Sequence, residues 1–166
     1  MRAMVRPFFL LLGLSLVGPV QAQREALGIF SHWGAFQEKN VNRCFAISEP
    51  SRRGRKGEPP AFASVGYWPA KGARGQVHFR LSVTKRPGSA VLLKIDDRTF
   101  QLLAGQRDAW AQNGRADAEI VAAMRMGVAM SVETRSERGA LVRDNYGLAG
   151  AATAIDAAAI ACAEPS

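Results

Sequence analysis

The stretch "QVHFRLSV", residues 76–83, decides the fold class. Its apolar residues occupy every second position and its polar residues fill the positions between them. The apolar set is Val77, Phe79, Leu81 and Val83. Because successive side chains of a strand point to opposite faces, this alternation predicts a strand with one face in the core. The chain is therefore expected to be mainly β.

Neighbouring segments extend this strand into a sheet. In "SAVLLKI" (89–95) the alternation recurs, Asp96 and Asp97 predict a turn, and "RTFQLLA" (98–104) predicts the return strand of a hairpin. The other predicted strands are "RCFAIS" (43–48), "AFASVGYW" (61–68), "VAMSVET" (128–134) and "ALVRDNYGL" (140–148). Because strands follow one another rather than alternating with helices, we expect an antiparallel β-sandwich.

Two segments predict short helices packed at one edge of the sandwich. "RADAEIVAAMRMG" (115–127) is rich in helix formers and ends at a glycine, with Ile120 and Met124 on one face. "LAGAATAIDAAAIAC" (148–162) predicts a second helix. Its expected inward stripe is Leu148, Ala152, Ile155, Ala159 and Cys162.

The N-terminus predicts export. Residues 1–22 combine Arg2 and Arg6 with an apolar stretch over 7–20 and a small residue at Ala22, which is the pattern of a cleaved secretory signal peptide. The apolar stretch is shorter than the roughly 20 residues that span a bilayer. Residues 23–166 are then one domain, and the expected location is the periplasm, with secretion or outer-membrane association as further destinations.

The two cysteines are expected to form a disulfide. In an oxidising compartment an even cysteine count favours pairing, and a bridge from Cys44 to Cys162 would tie the C-terminal helix to an early strand. Closing so long a loop stabilises a fold by roughly 4–5 kcal/mol. Two buried free thiols are the alternative. A metal site is disfavoured because no CxxC or His–Cys spacing accompanies either residue, and no cofactor is indicated.

Four motifs together resemble the invasion-associated locus B family of small exported bacterial proteins. They are "LGIFSHWGAF" (27–36), "RCFAISEP" (43–50), "AEIVAAMRMG" (118–127) and "RDNYGLAGAATAIDAAAIAC" (143–162), and the resemblance covers about residues 26–163. The chain lacks the further cysteines of typical members, so it looks like a divergent, virulence-associated relative. The resemblance implies an exported β-sandwich of poorly defined biochemical activity, and it does not imply a catalytic site. Together with the leader-like N-terminus it leads us to expect a protein that binds a cell-envelope or host-surface partner.

The residues offer little for catalysis. Only His32 and His78 are available as histidine bases, and neighbours such as Ser31 and His32 point apart in an extended segment. No catalytic residue is therefore assigned. The alternative is an envelope glycan hydrolase that uses a pair of carboxylates. Its candidates are Asp96, Asp97, Asp108 and Asp144. Asp96 and Asp97 are otherwise expected in a hairpin turn, and Asp144 in local turn bonds.

A basic loop is the first candidate surface for a partner. Arg52, Arg53, Arg55 and Lys56 could dock weakly on anionic lipid or wall components, although a solvated loop is the simpler explanation for them. The formal net charge of +8 favours anionic surfaces in general. Nucleic acid is not expected in this compartment.

Aromatic residues are the second candidate. Trp33, Trp68 and Trp110 are expected to anchor the core, but Trp68 precedes a proline at a strand end and is therefore the one of the three expected to be partly exposed. Tyr67 and Trp68 are therefore candidates for ligand or partner contact. The sequence thus predicts a non-enzymatic envelope protein, with the hydrolase and a periplasmic inhibitor or chaperone-like module as alternatives.

Overall fold

A computed structural model describes residues 24–52 and 60–163. The expected signal peptide and the basic residues Arg53, Arg55 and Lys56 lie outside the described residues. The strands are β1 (Arg24–Phe30), β2 (Trp33–Glu38), β3 (Arg43–Ser48), β4 (Phe62–Trp68), β5 (Ala73–Arg80), β6 (Val91–Ile95), β7 (Arg98–Ala104), β8 (Asp108–Trp110), β9 (Ala129–Arg135) and β10 (Leu141–Gly147). The helices are α1 (Gly114–Met126) and α2 (Ala151–Ala161).

The strands form one curled antiparallel sheet, a half-barrel, rather than the expected two-sheet sandwich. Their order in space is β1-β2-β3-β4-β5-β8-β7-β6-β9-β10. Strand β7 joins the two parts because its residues 98–102 pair with β6 while Leu103 and Ala104 pair with β8. We call β1–β5 with β8 the first half of the sheet, and β6, β7, β9 and β10 the second half.

The core fills the inner, concave face of this sheet, as the alternation predicts. Val77, Phe79 and Leu81 are almost fully buried, and β6 buries Val91, Leu93 and Ile95 in the same way. The turn at Asp96 and Asp97 and the return strand β7 are also confirmed. Burial of this apolar surface is the main stabilising contribution, at about 25 cal/mol per Å².

Helix α2 covers the inner face of the first strands. The expected disulfide is present: Cys44 in β3 is bonded to Cys162 at the end of α2, with the two Cα atoms 5.8 Å apart. The buried stripe of the helix is Ala151, Ala154, Ile155 and Ala158, continuing to Cys162. Ala152 and Ala159, which the sequence placed on that stripe, are only half-buried. Within the described residues, no helix is long and apolar enough to cross a membrane.

Helix α1 packs against β5 and against α2. The side chain of Asn113 accepts a hydrogen bond from the amide of Ala116 and caps its first turn, while Ile120 and Met124 are buried as predicted. Gly127 ends the helix in an extended backbone conformation. A left-handed cap is therefore not the reason for glycine at this position. A Cβ there would lie 2.9 Å from side chains of Ile95 and Leu148, so the position requires a residue without a side chain.

The curl brings the first hairpin against the last strand. The indole N–H of Trp33 donates to the carbonyl oxygen of Gly147 (2.9 Å). The main-chain amide of Ser51, which follows β3, donates to the carbonyl oxygen of Asn145 (2.8 Å). At the start of α2, Gly150 has φ +87°, and a Cβ there would lie 1.8 Å from the carbonyl oxygen of Phe30. These contacts hold the open sheet in its curled form.

Candidate functional site

The outer face of the first half presents aromatic and charged side chains side by side. The register places Arg24, Glu38 and Arg43 in one row across β1–β3, and Phe36 beside Phe45 in the next row. The Phe36 and Phe45 rings stack with their centroids 5.8 Å apart. The alternate positions of these strands point inward and are filled by core residues. The side chains in these two rows therefore lie on the outer surface, which faces away from α2.

Cations lie over the rings on this surface. The guanidinium carbons of Arg24 and Arg43 are 5.2 and 5.0 Å from the centroid of Phe45. On the next strand, Lys71 Nζ lies 3.6 Å from the centroid of Trp68, and Arg43 lies 5.7 Å from the same ring. Such contacts fix the cations in place and contribute about 0.5–1 kcal/mol each at exposed sites. We call Phe36, Phe45, Trp68, Arg24, Arg43 and Lys71 the aromatic–cation face.

Positive charge exceeds negative charge on this face. Glu38 is its acidic neighbour, with Oε1 2.9 Å from Arg24 Nη2 and Oε2 3.6 Å from Arg43 Nη1. The side chains of Arg24 and Arg43 are 58% and 37% exposed. One carboxylate therefore sits among three cations that are held by rings and still reach solvent.

A second group on the same surface surrounds His78. Its ring lies parallel to that of Trp110, with an interplanar angle of 4° and centroids 5.2 Å apart, because the two residues are register partners on β5 and β8. Phe62 on β4 meets the imidazole edge-on at 5.1 Å. We call Phe62, His78, Arg80, Asp108 and Trp110 the His78 cluster.

Asp108 fixes the polar side chains of this cluster. Its Oδ1 lies 2.8 Å from His78 Nε2 and accepts from Arg80 Nε at 2.9 Å, while Oδ2 accepts from Arg80 Nη2 at 3.1 Å. Burial opposes ionisation of Asp108, but the hydrogen bonds from His78 and Arg80 outweigh it, so the pKa of this carboxyl lies below its usual value. The cluster is thus a fixed ion pair beside an exposed indole.

The outer face of the second half has a groove of about 340 Å³ between β6, β9 and β10. Glu133, with a side chain only 9% exposed, lies between Lys94 Nζ at 3.1 Å and Arg143 Nε at 2.6 Å. Burial opposes ionisation here too, but hydrogen bonds from both cations outweigh it and lower the pKa of Glu133. We call Glu133, Lys94 and Arg143 the Glu133 triad.

The structure separates the residues that the sequence paired as a contact surface. Trp68 is on the outer face, whereas Tyr67 points inward and packs against the Cys44–Cys162 disulfide, where burial raises its pKa. Arg52 is exposed at the start of the β3–β4 connection, and Lys71 lies at the other end of β4. Tyr67 and Trp68 therefore do not share one surface.

The four candidate catalytic carboxylates do not share partners. Asp96 accepts from the amides of Val128 and Ala129 (3.2 Å), as a turn residue should, and Asp97 completes that turn. Asp144 is enclosed and accepts from the amide of Ser82 (2.9 Å), which replaces the local turn bonds expected of it. Among the described residues, no group of three or more His, Cys, Asp or Glu side chains could hold a metal ion.

The histidines and tryptophans also differ from expectation. His32 lies in the β1–β2 turn rather than in an extended segment, and His78 is partly buried in its cluster. Trp33 is a core anchor, as predicted. Trp68 is partly exposed, as expected, whereas Trp110, which was expected in the core, is 38% exposed. The only sequence signal was the alternation in "DAW", which is three residues long.

No protein-family model, curated protein or solved structure matches this chain. Its function is therefore inferred from its own side chains. The outer face of the first half offers two candidate binding surfaces, the aromatic–cation face and the His78 cluster.

Proposed function

We propose that this chain is an exported, non-enzymatic protein of the bacterial cell envelope that binds a phosphate-bearing component through the aromatic–cation face. The leader-like residues 1–22 and the sequence resemblance support a divergent member of the invasion-associated locus B family located in the periplasm. The Cys44–Cys162 disulfide supports the same location, because such bonds persist in oxidising compartments.

The observation that carries this proposal is the position of the three cations. Arg24, Arg43 and Lys71 lie over aromatic rings, so little side-chain entropy is lost when they engage an anion. A guanidinium binds phosphate oxygens with two parallel hydrogen bonds, and an ammonium adds a point charge. Lipid headgroups and wall polymers both present phosphate, so either could supply the anion.

The alternatives have less support. A glycan hydrolase needs two carboxyl groups on either side of one bond, and here Asp108 is neutralised on the outer face while Asp144 is enclosed within the fold. Ser64, the register partner of His78, directs its hydroxyl to the main-chain oxygen of His78 rather than to the imidazole. No contact favours an inhibitor or chaperone-like role over binding of an envelope component.

Vesicle binding tests the proposal. The disulfide-bonded mature protein should co-sediment with vesicles that contain phosphatidylglycerol, not with phosphatidylcholine vesicles, and the binding should weaken as salt rises. The double variant Arg43→Gln/Lys71→Gln should bind about tenfold more weakly. The matched control Arg115→Gln/Arg138→Gln removes the same charge from exposed positions elsewhere and should change binding far less.

If both double variants lose the same amount of vesicle binding, net charge alone explains the effect. If Arg43→Gln/Lys71→Gln binds vesicles as well as the wild type does, the proposal is wrong. Wall fragments bearing phosphate polymers, used in place of vesicles, distinguish the two sources of phosphate. Cell fractionation tests the location: a cytosolic protein that keeps residues 1–22 would contradict export.

A further inference from the structure

The geometry points to a second, independent site: a carbohydrate-binding subsite centred on Trp110, which takes a neutral pyranose ring of a glycan. It uses the His78 cluster, not the aromatic–cation face, and no step of the argument requires phosphate binding. Three properties of the cluster lead to this assignment: a fixed and exposed ring, a polar pair beside it, and the cancelling charges of Arg80 and Asp108.

The ring of Trp110 is a preformed platform. Its imidazole neighbour His78 lies parallel to it on the β5 side, and its register partner on the β7 side is Leu103, which is 55% exposed. Trp110 and Leu103 together present a rigid apolar step on a sheet surface. The C–H groups on one side of a pyranose pack well on such a ring, and the ordered side chains lose little entropy on binding.

The polar groups next to the ring have fixed directions. Arg80 and Asp108 are register partners, one strand position away from the His78–Trp110 pair. The guanidinium uses Nε and Nη2 on Asp108 and lies over the ring of Phe62 at 5.8 Å, so its Nη1 amino group is held in place and available to a ligand. One sugar hydroxyl can accept from this group, and a different hydroxyl of the same sugar can donate to Oδ2 of Asp108.

The charge of the cluster decides between ligand classes. Arg80 and Asp108 cancel, so an anion gains no net attraction here and meets a carboxylate, in contrast to the aromatic–cation face. A ligand that is neutral, carries many hydroxyls and has one apolar side matches the cluster. A pyranose has all three properties, and an aromatic or aliphatic ligand would leave Arg80 and Asp108 without new partners.

Titration by NMR tests this subsite. The probes are the neutral tetrasaccharides of β-1,4-linked N-acetylglucosamine and of β-1,4-linked glucose, added to the disulfide-bonded mature protein. The chain has three tryptophans, and each gives its own indole N–H signal. We expect a saturable shift of the Trp110 signal with at least one probe, and no shift of the signal from the buried Trp33.

Matched variants give the test its specificity. Trp110→Ala should weaken glycan binding at least about tenfold, and Trp110→Phe should lose less because it keeps a ring. Trp68→Ala removes another tryptophan from the same surface and should leave glycan binding unchanged. If neither probe shifts the Trp110 signal, or if Trp68→Ala loses as much as Trp110→Ala, the subsite is wrong. Trp110→Ala should still bind vesicles. The vesicle assay therefore tests the aromatic–cation face independently of the glycan subsite.

Discussion

The outer faces of the two halves of the sheet both carry charged side chains, but they use the charge differently. In the second half, Glu133 is enclosed between Lys94 and Arg143, so both cations are engaged by a buried carboxylate rather than by a ring. In the first half, Arg43 and Lys71 lie over rings and exceed the carboxylates near them. The comparison teaches that cations paired with a buried carboxylate stabilise the fold, whereas a cation held over a ring is available to bind a partner. Stability and binding measurements can separate the two.

Among the charged groups of the two outer faces, the largest stability effect is expected in the Glu133 triad. Glu133→Gln keeps the shape of the side chain but leaves the two cations facing each other without a carboxylate. We expect a loss of about 2 kcal/mol in the free energy of unfolding at pH 7, allowing for solvent screening of the half-exposed Lys94 and Arg143. Urea unfolding measures it. A loss within the error of the measurement would show that the triad does not stabilise the fold.

The same variant has a defined pH dependence. The pKa of Glu133 is lowered in the folded state, so its stabilising contribution is present above the unfolded pKa of about 4.3 and is lost as pH falls through the folded value. The difference between wild type and Glu133→Gln should therefore shrink below about pH 4. If the difference in the free energy of unfolding between wild type and Glu133→Gln stays constant from neutral to acid pH, packing rather than charge causes the loss.

An intermediate effect is expected for the ion pair of the His78 cluster. Asp108→Asn removes the charge that holds Arg80 and His78, but the amide oxygen still accepts one hydrogen bond, and the site is a quarter exposed. We expect a loss of about 1 kcal/mol, seen as a fall in Tm of about 2–4 °C. Because the pKa of Asp108 is also lowered, this loss too should diminish in acid. A rise in Tm would mean that the carboxylate is strained there.

The smallest stability effect is expected on the aromatic–cation face. Arg43→Gln removes a guanidinium that lies over Phe45 and Trp68 but is itself 37% exposed and screened by solvent, so the free energy of unfolding should fall by less than about 1 kcal/mol. The control is Arg43→Lys, which keeps a cation, and its free energy of unfolding should fall less than that of Arg43→Gln. A loss as large as that of Glu133→Gln would remove the distinction between the two faces.

Local patterns in the sequence predicted much of the fold. The alternation at Val77, Phe79 and Leu81 identified the core face of β5, and the helix formers before Gly127 identified α1. The Cys44–Cys162 pair followed from the even cysteine count and the leader. These features depend on residues that are close in the chain or on a single pairing, so a one-dimensional pattern contains them.

Long-range register could not be predicted in the same way. Whether strands form two sheets or one depends on β7, whose last two residues pair with β8 while the preceding ones pair with β6. Strand β8 is three residues long, too short for a recognisable alternation, and it alone brings Asp108 and Trp110 to His78. For the same reason the aromatic–cation face, assembled from β1–β4 and the turn after β4, was not identified as a surface.

The position of α2 in the chain constrains the order of folding. This helix follows all ten strands, yet it forms the inner cover of β1–β3, and the cysteines that join it to β3 are 118 residues apart. The first three strands therefore have no apolar partner for their inward side until synthesis and any translocation have delivered the last helix. A chain built in this way depends on contacts between its two ends, so we expect it to fold more slowly than a domain whose contacts are mostly local.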